Sequence, residues 1–326
     1  MKVIFKQIMI VIALFTVWGG AYADQYAGEF MSTGVGARAL AMGGAFAAVA
    51  DDASTIYWNP AGMADTKGAE VSSVKRISQS GVDSSYTYLS LDYNSGENTG
   101  AFGASFLSQS FGGIMITDTQ GNQVGGLTSA GDNVVYLSYA KKLAGWVSGG
   151  LSLKVLFGNY PTGSGSTGYN GFGEDLGILI DMGHLSGSLN GLKFAINAQD
   201  LYTTMNWGSG GGFSGGMERV EPNIKLGLAY LPFSDVMKAL DSRVTLAADY
   251  DSEYSGAYHL GAEYLWNGMI ALRAGVQNYI SYTLELQQEA GWSLGGGIKW
   301  YFLEIDYAFI KSEISPMQYI SLMGIF

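Results

Sequence analysis

The amino-acid sequence predicts an all-β fold, a transmembrane antiparallel β-barrel of about 14 strands with a short N-terminal hatch, or plug, in its lumen. Only 14% of the 326 residues are charged while 48% are hydrophobic, whereas roughly a quarter of residues are charged in ordinary soluble domains. Glycine (48 residues) and tyrosine (21 residues) are abundant. After the N-terminus no apolar run is long enough to cross a bilayer as a helix, but many short segments alternate apolar and polar residues, as strands of membrane barrels do.

The first 23 residues resemble a secretory signal peptide. Lys2 and Lys6 give it a positive charge, residues 8–17 are apolar, and Ala21-Tyr22-Ala23 resembles a cleavage site. Because the apolar run is shorter than a transmembrane helix of roughly 20 residues, we expect export and cleavage after Ala23. The expected organisation is a signal peptide at 1–23, a hatch at 24–67 and a transmembrane barrel at 68–326.

Fourteen segments carry the alternating pattern of barrel strands. At 303–309, for example, every odd position is large and apolar, whereas the even positions are acidic or small. An even number of strands is what a single-chain bacterial barrel requires. The fourteen segments are 69–77, 84–94, 99–111, 132–141, 146–157, 172–183, 191–200, 222–231, 243–251, 256–266, 268–277, 290–300, 302–310 and 317–326.

The polar face of these segments mixes glycine, alanine and serine with single charges of both signs. Small residues leave room for a segment inside the barrel, and opposite charges can pair across the lumen, where an unpaired charge is costly. Mutual pairing is a simpler role for these charges than contact with a substrate. The predicted lumen charges are Lys193, Lys225, Arg243, Asp249, Glu263, Arg273, Glu304 and Asp306, with Lys154, Asp181 and Lys299 on the same face.

The connections and the C-terminus agree with an outer-membrane barrel. Alternate connections are mostly long, notably 112–131, 158–171 and 201–221, as expected of extracellular loops opposite short periplasmic turns. The last segment ends on Phe326 and resembles the closing strand of outer-membrane proteins. That resemblance implies the barrel-assembly machinery as a partner through Phe326, and the lipid bilayer of the outer membrane of a Gram-negative bacterium as the location.

The N-terminal stretch at 36–64 is rich in small residues and reads GARALAMGGAFAAVADDASTIYWNPAGMA. A phosphate-binding loop would need a preceding strand, a following crossover and a G-K-[ST] sequence, which are missing here. A flexible linker would not carry the apolar bulk of residues 56–58. A compact hatch fits better, with a slender helix at 37–50 and a fixed turn at Asn59-Pro60.

Six residues of this stretch are the predicted hatch or gate residues. Asp51 and Asp52 follow the expected helix, and we expect them to fix the hatch by accepting backbone N–H bonds or an Arg or Lys of the lumen. The others form the turn Asn59-Pro60-Ala61-Gly62.

The stretch also resembles the N-terminal signature of the FadL/PorV superfamily of outer-membrane barrels, in particular the PorV/PorQ branch. The shared pattern is GAR-x-L-x-MGGA-x-x-A-x-A-DDAS-x-x-x-WNPAG-x-A. The resemblance implies a fourteen-stranded barrel with a hatch, and an Asn-Pro-Ala element in the lumen at Asn59, Pro60 and Ala61. In FadL itself, hydrophobic ligands bind above the hatch and leave sideways into the membrane. PorV and PorQ relatives serve type IX secretion, and the modest length of this chain suits that branch better.

Two functions follow, and the residues do not decide between them. One is a passive channel for hydrophobic or amphipathic small molecules, with loop aromatics as ligand contacts, although these aromatics could equally pack at the membrane interface. The other is a type IX secretion accessory that binds or anchors secreted proteins. The loop aromatics are Tyr202, Trp207 and Phe213, next to Met205.

Other classes of function find little support in the sequence. The two histidines, His184 and His259, have no serine and acid partners at the spacing of a catalytic triad, so we expect no enzyme. The chain has no cysteine, and its acidic pairs lack the spacing of a calcium loop, so we expect neither a metal nor a cofactor. A net charge of −11 argues against nucleic acid as a partner.

Overall fold

A computed structural model describes residues 27–66, 68–77, 84–118, 120–162, 165–210, 214–232, 237, 240–252, 257–281, 287–311 and 316–326. The predicted signal peptide and Phe213 lie outside the described residues.

The described residues contain sixteen β-strands, all paired antiparallel. They are β1 (Ala69–Ile77), β2 (Ser84–Asn94), β3 (Ala101–Thr117), β4 (Gln123–Ala144), β5 (Val147–Thr162), β6 (Gly165–Asp181), β7 (Leu192–Gln199), β8 (Thr204–Trp207), β9 (Gly216–Arg219), β10 (Asn223–Tyr230), β11 (Arg243–Asp251), β12 (Ala257–Trp266), β13 (Ile270–Ser281), β14 (Gln287–Trp300), β15 (Leu303–Lys311) and β16 (Met317–Ile325).

Fourteen of these strands close into a barrel, which confirms the predicted fold. β1 to β7 pair in chain order, β7 pairs with β10, β10 to β16 continue in order, and β16 pairs with β1. β8 and β9 form an additional hairpin whose first strand pairs with β6. Closure leaves no free edge in the ring, so its backbone groups are hydrogen-bonded without water, as a membrane requires.

The alternation along each strand separates an apolar outside from a polar inside. On β12, Tyr258, Leu260 and Tyr264 point outward and are exposed, whereas His259 and Glu263 point inward and are buried. β15 repeats the arrangement, with Ile305 and Tyr307 outside and the acidic residues inside. An exposed belt of large apolar side chains around a polar interior is the inverse of a soluble protein and typical of a barrel in lipid.

Two of the predicted long connections are wrong. Residues 112–131 and 158–171 are largely strand, because β3 continues to Thr117 and β4 begins at Gln123, while β5 continues to Thr162 and β6 begins at Gly165. Residues 123–127 are exposed on both faces of the sheet, so they carry no alternation that would mark them as strand. The predicted connection 201–221 contains the β8–β9 hairpin.

Short helices occur in the N-terminal segment and after β6, and no described helix is long and apolar enough to span a membrane. The expected helix at 37–50 is wrong beyond Ala41. Gly43 adopts φ +68°, a left-handed conformation that favours glycine and ends the helix. The α-helices are α1 (Ala37–Ala41) and α2 (Thr55–Trp58), and the 3₁₀ helices are Glu29–Met31, Pro60–Asp65, Met182–His184 and Gly187–Leu189.

Residues 27–66, which we call the hatch, lie inside the barrel and form about half of the buried apolar core. Phe46, Ile56 and Met63 are completely buried. The helix α1 lies against β13 to β16, and the 3₁₀ helix Pro60–Asp65 lies against β4, β5 and β6.

The hatch touches the barrel wall directly where Gly275 of β13 lies beside Gly43. A Cβ atom on Gly275 would stand 2.1 Å from the Gly43 nitrogen and 2.3 Å from the Met42 carbonyl carbon. No other residue type fits there unless the hatch backbone moves. The small residues of the lumen face therefore allow backbone-to-backbone contact.

We predict that Gly275→Ala displaces the hatch while leaving the barrel closed. The added methyl overpacks a backbone contact, so the free energy of unfolding in urea should fall by about 1–3 kcal/mol. Gly126→Ala on β4 is the matched control, because a Cβ at Gly126 meets nothing within 4 Å. Equal stability of the two variants, with unchanged heat-modifiable mobility on gels, would contradict this contact.

Candidate functional site

The hatch has little regular secondary structure, so many of its backbone groups are hydrogen-bonded by side chains of the lumen. Asp249 on β11 accepts hydrogen bonds from the backbone N–H groups of Phe46 and Ala47, both at 2.8 Å. The Nδ1 of His259 lies 2.6 Å from the Gly43 carbonyl oxygen. Ser293 on β14 accepts from the Gly43 N–H at 3.0 Å and donates to the Ala41 carbonyl at 2.9 Å. Each contact replaces a bond that water would otherwise supply.

Asn59 ties the predicted Asn-Pro-Ala element to the wall. Its completely buried side chain donates from Nδ2 to the carbonyls of Ala47, 3.0 Å away, and Ile178 on β6, 3.3 Å away. Its Oδ1 accepts from the Ala61 N–H at 3.1 Å and so caps the 3₁₀ helix that begins at Pro60. Gly62, also buried, lies directly against Ala50 of the hatch.

Two further amides of β7 hold the hatch from the other side of this turn. Asn197 donates to the Trp58 carbonyl and Gln199 to the Tyr57 carbonyl, both at 2.8 Å. Within the hatch, the Tyr57 hydroxyl donates to the Met31 carbonyl at 2.5 Å and the Trp58 indole N–H to the Val35 carbonyl at 2.9 Å. The first residues of the hatch are thus linked to its centre.

A cluster of charged residues, which we call the ion-pair network, joins the hatch to β11–β15. Its centre is Glu263 on β12, whose carboxylate is approached by three guanidinium groups. The Nε of Arg38 lies 2.8 Å from Glu263, Arg243 Nη2 lies 3.0 Å from it and Arg273 Nε 2.7 Å from it. The members are Arg38, Asp51 and Asp52 of the hatch and Arg243, Glu263, Arg273, Lys299, Glu304 and Asp306 of the wall.

Both hatch acids contact Arg38 within this network. Arg38 Nη1 lies 2.6 Å from Asp51 and 3.1 Å from Asp52, and Arg243 Nη1 lies 3.5 Å from Asp51. Asp52 also accepts from the N–H of Ser54, at 2.9 Å, and from its hydroxyl, at 2.6 Å. The acidic pair thus contacts Arg38 and Ser54 of the hatch itself, and Asp51 also contacts Arg243 of the wall.

Titration of the hatch charges follows from their partners. Burial by itself raises the pKa of Asp51, but the guanidinium groups of Arg38 and Arg243 outweigh it and lower that pKa below the ordinary value of 3.8. Burial likewise acts to lower the pKa of Arg38, but Asp51, Glu263 and Asp52 raise it above the ordinary value. Both groups are therefore charged at neutral pH, as a buried pair needs to be.

On the wall side, the network continues from Arg273 along β13–β15. The Nη1 of Arg273 bonds Asp306, and its Nη2 lies 3.5 Å from Glu304. The Nζ of Lys299 lies 3.6 Å from the same Glu304. Five of the eight predicted lumen charges thus meet in one place.

The other three predicted lumen charges lie apart from the network. Lys225 pairs with Asp251 beside the ring of Trp58, Lys193 lies 3.6 Å from Asp65 at the end of the hatch, and Asp249 binds the hatch backbone.

Sequence reasoning missed a second buried cluster. Lys154 on β5 lies 2.7 Å from both Asp175 and Asp200, and Thr203 donates to Asp200 at 2.7 Å. The alternating pattern of β5 places Lys154 on the lumen face, as predicted. Asp200 follows the end of β7 with a positive φ of 57°, so the alternating pattern of the strand does not extend to it.

Two cavities lie at opposite ends of the hatch. The inner cavity, about 260 Å³, is at the end of the barrel that holds Ala69 and Ile325, and members of the ion-pair network line it together with Glu70 and Thr66. The outer cleft, about 490 Å³, lies at the opposite end, between hatch residues 27–33 and the wall. The two share no lining residue.

Of the two predicted loop aromatics that the structure describes, the outer cleft holds one. Trp207 on β8 lines it, together with Met205. Tyr202 is instead 55% exposed beneath the guanidinium of Arg219, outside the cleft lining. Of the histidines, His184 stacks on Trp146 at 5.7 Å and His259 supports the hatch. The described residues contain no group of three or more His, Cys, Asp or Glu side chains arranged to bind a metal.

Comparison with known proteins identifies the fold. No family model and no curated protein matches the sequence. Among solved structures, the chain is similar to the toluene transporter TodX of Pseudomonas putida (TM-score 0.58, 13% identity, 90% of this chain and 99% of that chain). It is also similar to the toluene transporter TbuX of Ralstonia pickettii (0.57, 14%, 90% and 98%) and to a FadL homologue of Pseudomonas aeruginosa (0.55, 12%, 88% and 96%). At 12–14% identity, these likenesses show that the chain shares the fold of these three proteins.

We predict that Glu263→Gln loosens the hatch. A neutral amide leaves the buried Arg38 and Arg273, and the partly exposed Arg243, without their shared carboxylate, which should lower the free energy of unfolding by about 3–5 kcal/mol. Glu97→Gln, an exposed site in the β2–β3 turn, is the matched control and should change little. The comparison is made by urea unfolding of detergent-solubilised protein, and equal stability of the two variants would contradict the role of the network.

The lowered pKa of Asp51 predicts a pH dependence of known sign. A carboxylate whose pKa is lower in the folded chain contributes stability above its unfolded pKa, and this is lost as pH falls through the folded value. Asp51→Asn should therefore be less stable than the wild type at pH 7. The difference between the free energies of unfolding of the two proteins should become smaller below about pH 4. Urea unfolding of both proteins at pH 7, 5 and 3 measures this difference, and a difference that widens in acid would contradict the assignment.

Proposed function

We propose that the chain is an outer-membrane barrel that acts as a passive channel for hydrophobic or amphipathic small molecules, with the hatch as its gate. The observation that carries the proposal is the placement of two separate cavities on either side of a hatch held by directed hydrogen bonds and ion pairs. A compound entering the outer cleft would reach the inner cavity only if the hatch moved.

The apolar belt supports the location in a membrane. Outward side chains such as Leu260, Leu272 and Leu294 are more than half exposed on adjacent strands β12, β13 and β14. Such a surface is costly in water and favourable in lipid. Three structural neighbours are named as transporters or channels for toluene or monoaromatic hydrocarbons, which supports a hydrophobic substrate class here.

The C-terminal strand supports assembly as an outer-membrane protein. The backbone of Phe326 exchanges hydrogen bonds with Ala69, at 2.8 and 3.0 Å, and so closes the ring. Its side chain is 71% exposed and stacks on Phe302. An exposed terminal aromatic ring at the seam suits recognition by the barrel-assembly machinery, and export by the predicted signal peptide completes this proposal.

Gating would begin at the floor of the outer cleft. Phe30, Ser32 and Thr33 line the cleft, and the adjacent Met31 carbonyl accepts the hydrogen bond of Tyr57 at the centre of the hatch. A ligand that displaces residues 30–33 would therefore also displace α2 and the turn at Asn59. The ion-pair network would set how much displacement the hatch tolerates.

Whole-cell uptake tests this function. Bacteria expressing the protein in the outer membrane should take up at least one of the two labelled compounds toluene and oleate faster than cells with an empty vector. Uptake rates of both compounds equal to those of the empty-vector cells would refute the channel proposal. Co-purification of secreted proteins without any uptake would instead favour the type IX secretion role implied by the sequence motif.

Asn59→Ala tests the hatch within the same assay. Loss of the bonds to Ala47 and Ile178 should change the uptake rate by about fivefold or more, as expected for hydrogen bonds of about 1 kcal/mol each, while heat-modifiable mobility stays intact. Asn170→Ala, at an exposed position on β6, is the matched control. Unchanged uptake by an Asn59→Ala barrel that folds normally would show that this element does not gate.

A further inference from the structure

We infer that the outer cleft selects aromatic compounds that carry a neutral or cationic hydrogen-bond donor and discriminates against carboxylates. The inference rests on the proposed channel function and names the substrate class of its entry site. It is carried by three features of the cleft: aromatic walls, two carboxylates that accept hydrogen bonds from neutral donors, and a buried acceptor without a partner among the described residues.

The walls of the cleft are suited to a flat apolar body. The Trp207 ring lies 5.4 Å from that of Tyr160 and 4.9 Å from that of Tyr169, with tilted geometry. Phe30 and Phe111 add apolar surface on the hatch side and on β3. The volume of about 490 Å³ falls in the roughly 300–1,000 Å³ range of small-molecule sites.

The charge of the cleft has one sign. The carboxylates of Asp132 and Glu218 line it, whereas no lysine, arginine or histidine is among its described lining residues. Asp132 accepts hydrogen bonds from the hydroxyls of Tyr160, at 2.5 Å, and Tyr169, at 2.7 Å. Glu218 accepts from the Trp207 indole N–H at 2.7 Å. These donors are neutral, so they orient the two carboxylates without cancelling their charge.

Gln109 is an independent indication that the cleft binds a ligand. Its side chain on β3 lines the cleft and is only 8% exposed, and its Oε1 atom has no hydrogen-bond partner within the part of the chain that the structure describes. A buried acceptor without a donor costs free energy until a ligand donates to it. Hydroxyl or amino groups on a ligand meet this need, whereas a carboxylate offers no donor and faces two like charges.

Selectivity then follows from attraction and exclusion together. A cation near Asp132 and Glu218 is attracted by their charges in a partly desolvated cleft, and a neutral donor forms the hydrogen bond to Gln109. An anion is repelled by the two carboxylates and has no donor for Gln109. A long-chain fatty-acid anion would therefore be a poor ligand of this cleft.

Four probes of nearly equal size test the inference on the full-length detergent-solubilised protein. Benzylamine is cationic at pH 7, benzyl alcohol is a neutral donor, toluene has no polar group and benzoate is an anion. Isothermal titration should rank affinity as benzylamine, benzyl alcohol, toluene and benzoate, with about tenfold or more between the first and the last.

Variants separate the two polar contributions. Gln109→Leu should weaken benzyl alcohol about fivefold and leave toluene unchanged. The double substitution Asp132→Asn with Glu218→Gln keeps one oxygen acceptor at each position but removes both charges, so the affinity for benzoate should rise and that for benzylamine fall by about tenfold. Glu97→Gln, at the opposite end of the barrel, removes a charge without affecting any probe, and heat-modifiable mobility verifies folding in each case.

Several outcomes would overturn the inference while leaving the channel proposal standing. Benzoate binding as tightly as benzylamine would refute the charge selection. Equal loss of toluene and benzyl alcohol in Gln109→Leu would show that Gln109 is only structural. Binding of none of the four probes would show that the cleft is not the ligand site, even if whole cells took up hydrocarbons at a normal rate.

Discussion

A polypeptide segment buried inside a barrel has to find partners for its peptide groups, and this requirement shapes the lumen. Residues 34–64 form only two short α-helices and one 3₁₀ helix, so the helices satisfy few of their N–H and C=O groups. The wall supplies the remainder through Asp249, Ser293 and Asn197, among others. Because buried polar groups without partners cost free energy, the polar lumen and the irregular hatch depend on each other.

The same dependence explains why the charges of the lumen are concentrated rather than dispersed. Arg38 enters the barrel on the hatch and would be costly there alone. Glu263 pairs with it, and Arg243 and Arg273 balance the acids that surround the pair. Such a network is directional and can be broken by small displacements, unlike the apolar contacts around Phe46. The proposed gate needs contacts of the directional kind, and in that proposal a ligand in the outer cleft acts on them first.

Much of the fold could be predicted from the sequence. Lipid outside the barrel and a crowded lumen inside it require large apolar residues to alternate with polar or small ones along strands such as β15. The same alternation placed Glu263, Arg273 and Asp306 on the lumen face. Their partner Arg38 was missed because the pair is separated by 225 positions, and a single arginine among alanines carries no periodic signal. Residues 123–127 were missed because they are exposed on both faces, and the helix at 37–50 was overestimated because contact with the wall overrides local propensity.

The most direct test of the central claim, that the hatch must move for passage, is to lock it. The chain has no cysteine, and the Ala37 N–H donates to the Ser321 hydroxyl at 2.7 Å, so Ala37→Cys with Ser321→Cys places two thiols side by side between hatch and wall. With the cross-link verified by mass spectrometry and single-cysteine controls, hydrocarbon uptake should cease on oxidation and return on reduction. Uptake that continues at the wild-type rate through a fully cross-linked barrel would contradict the account.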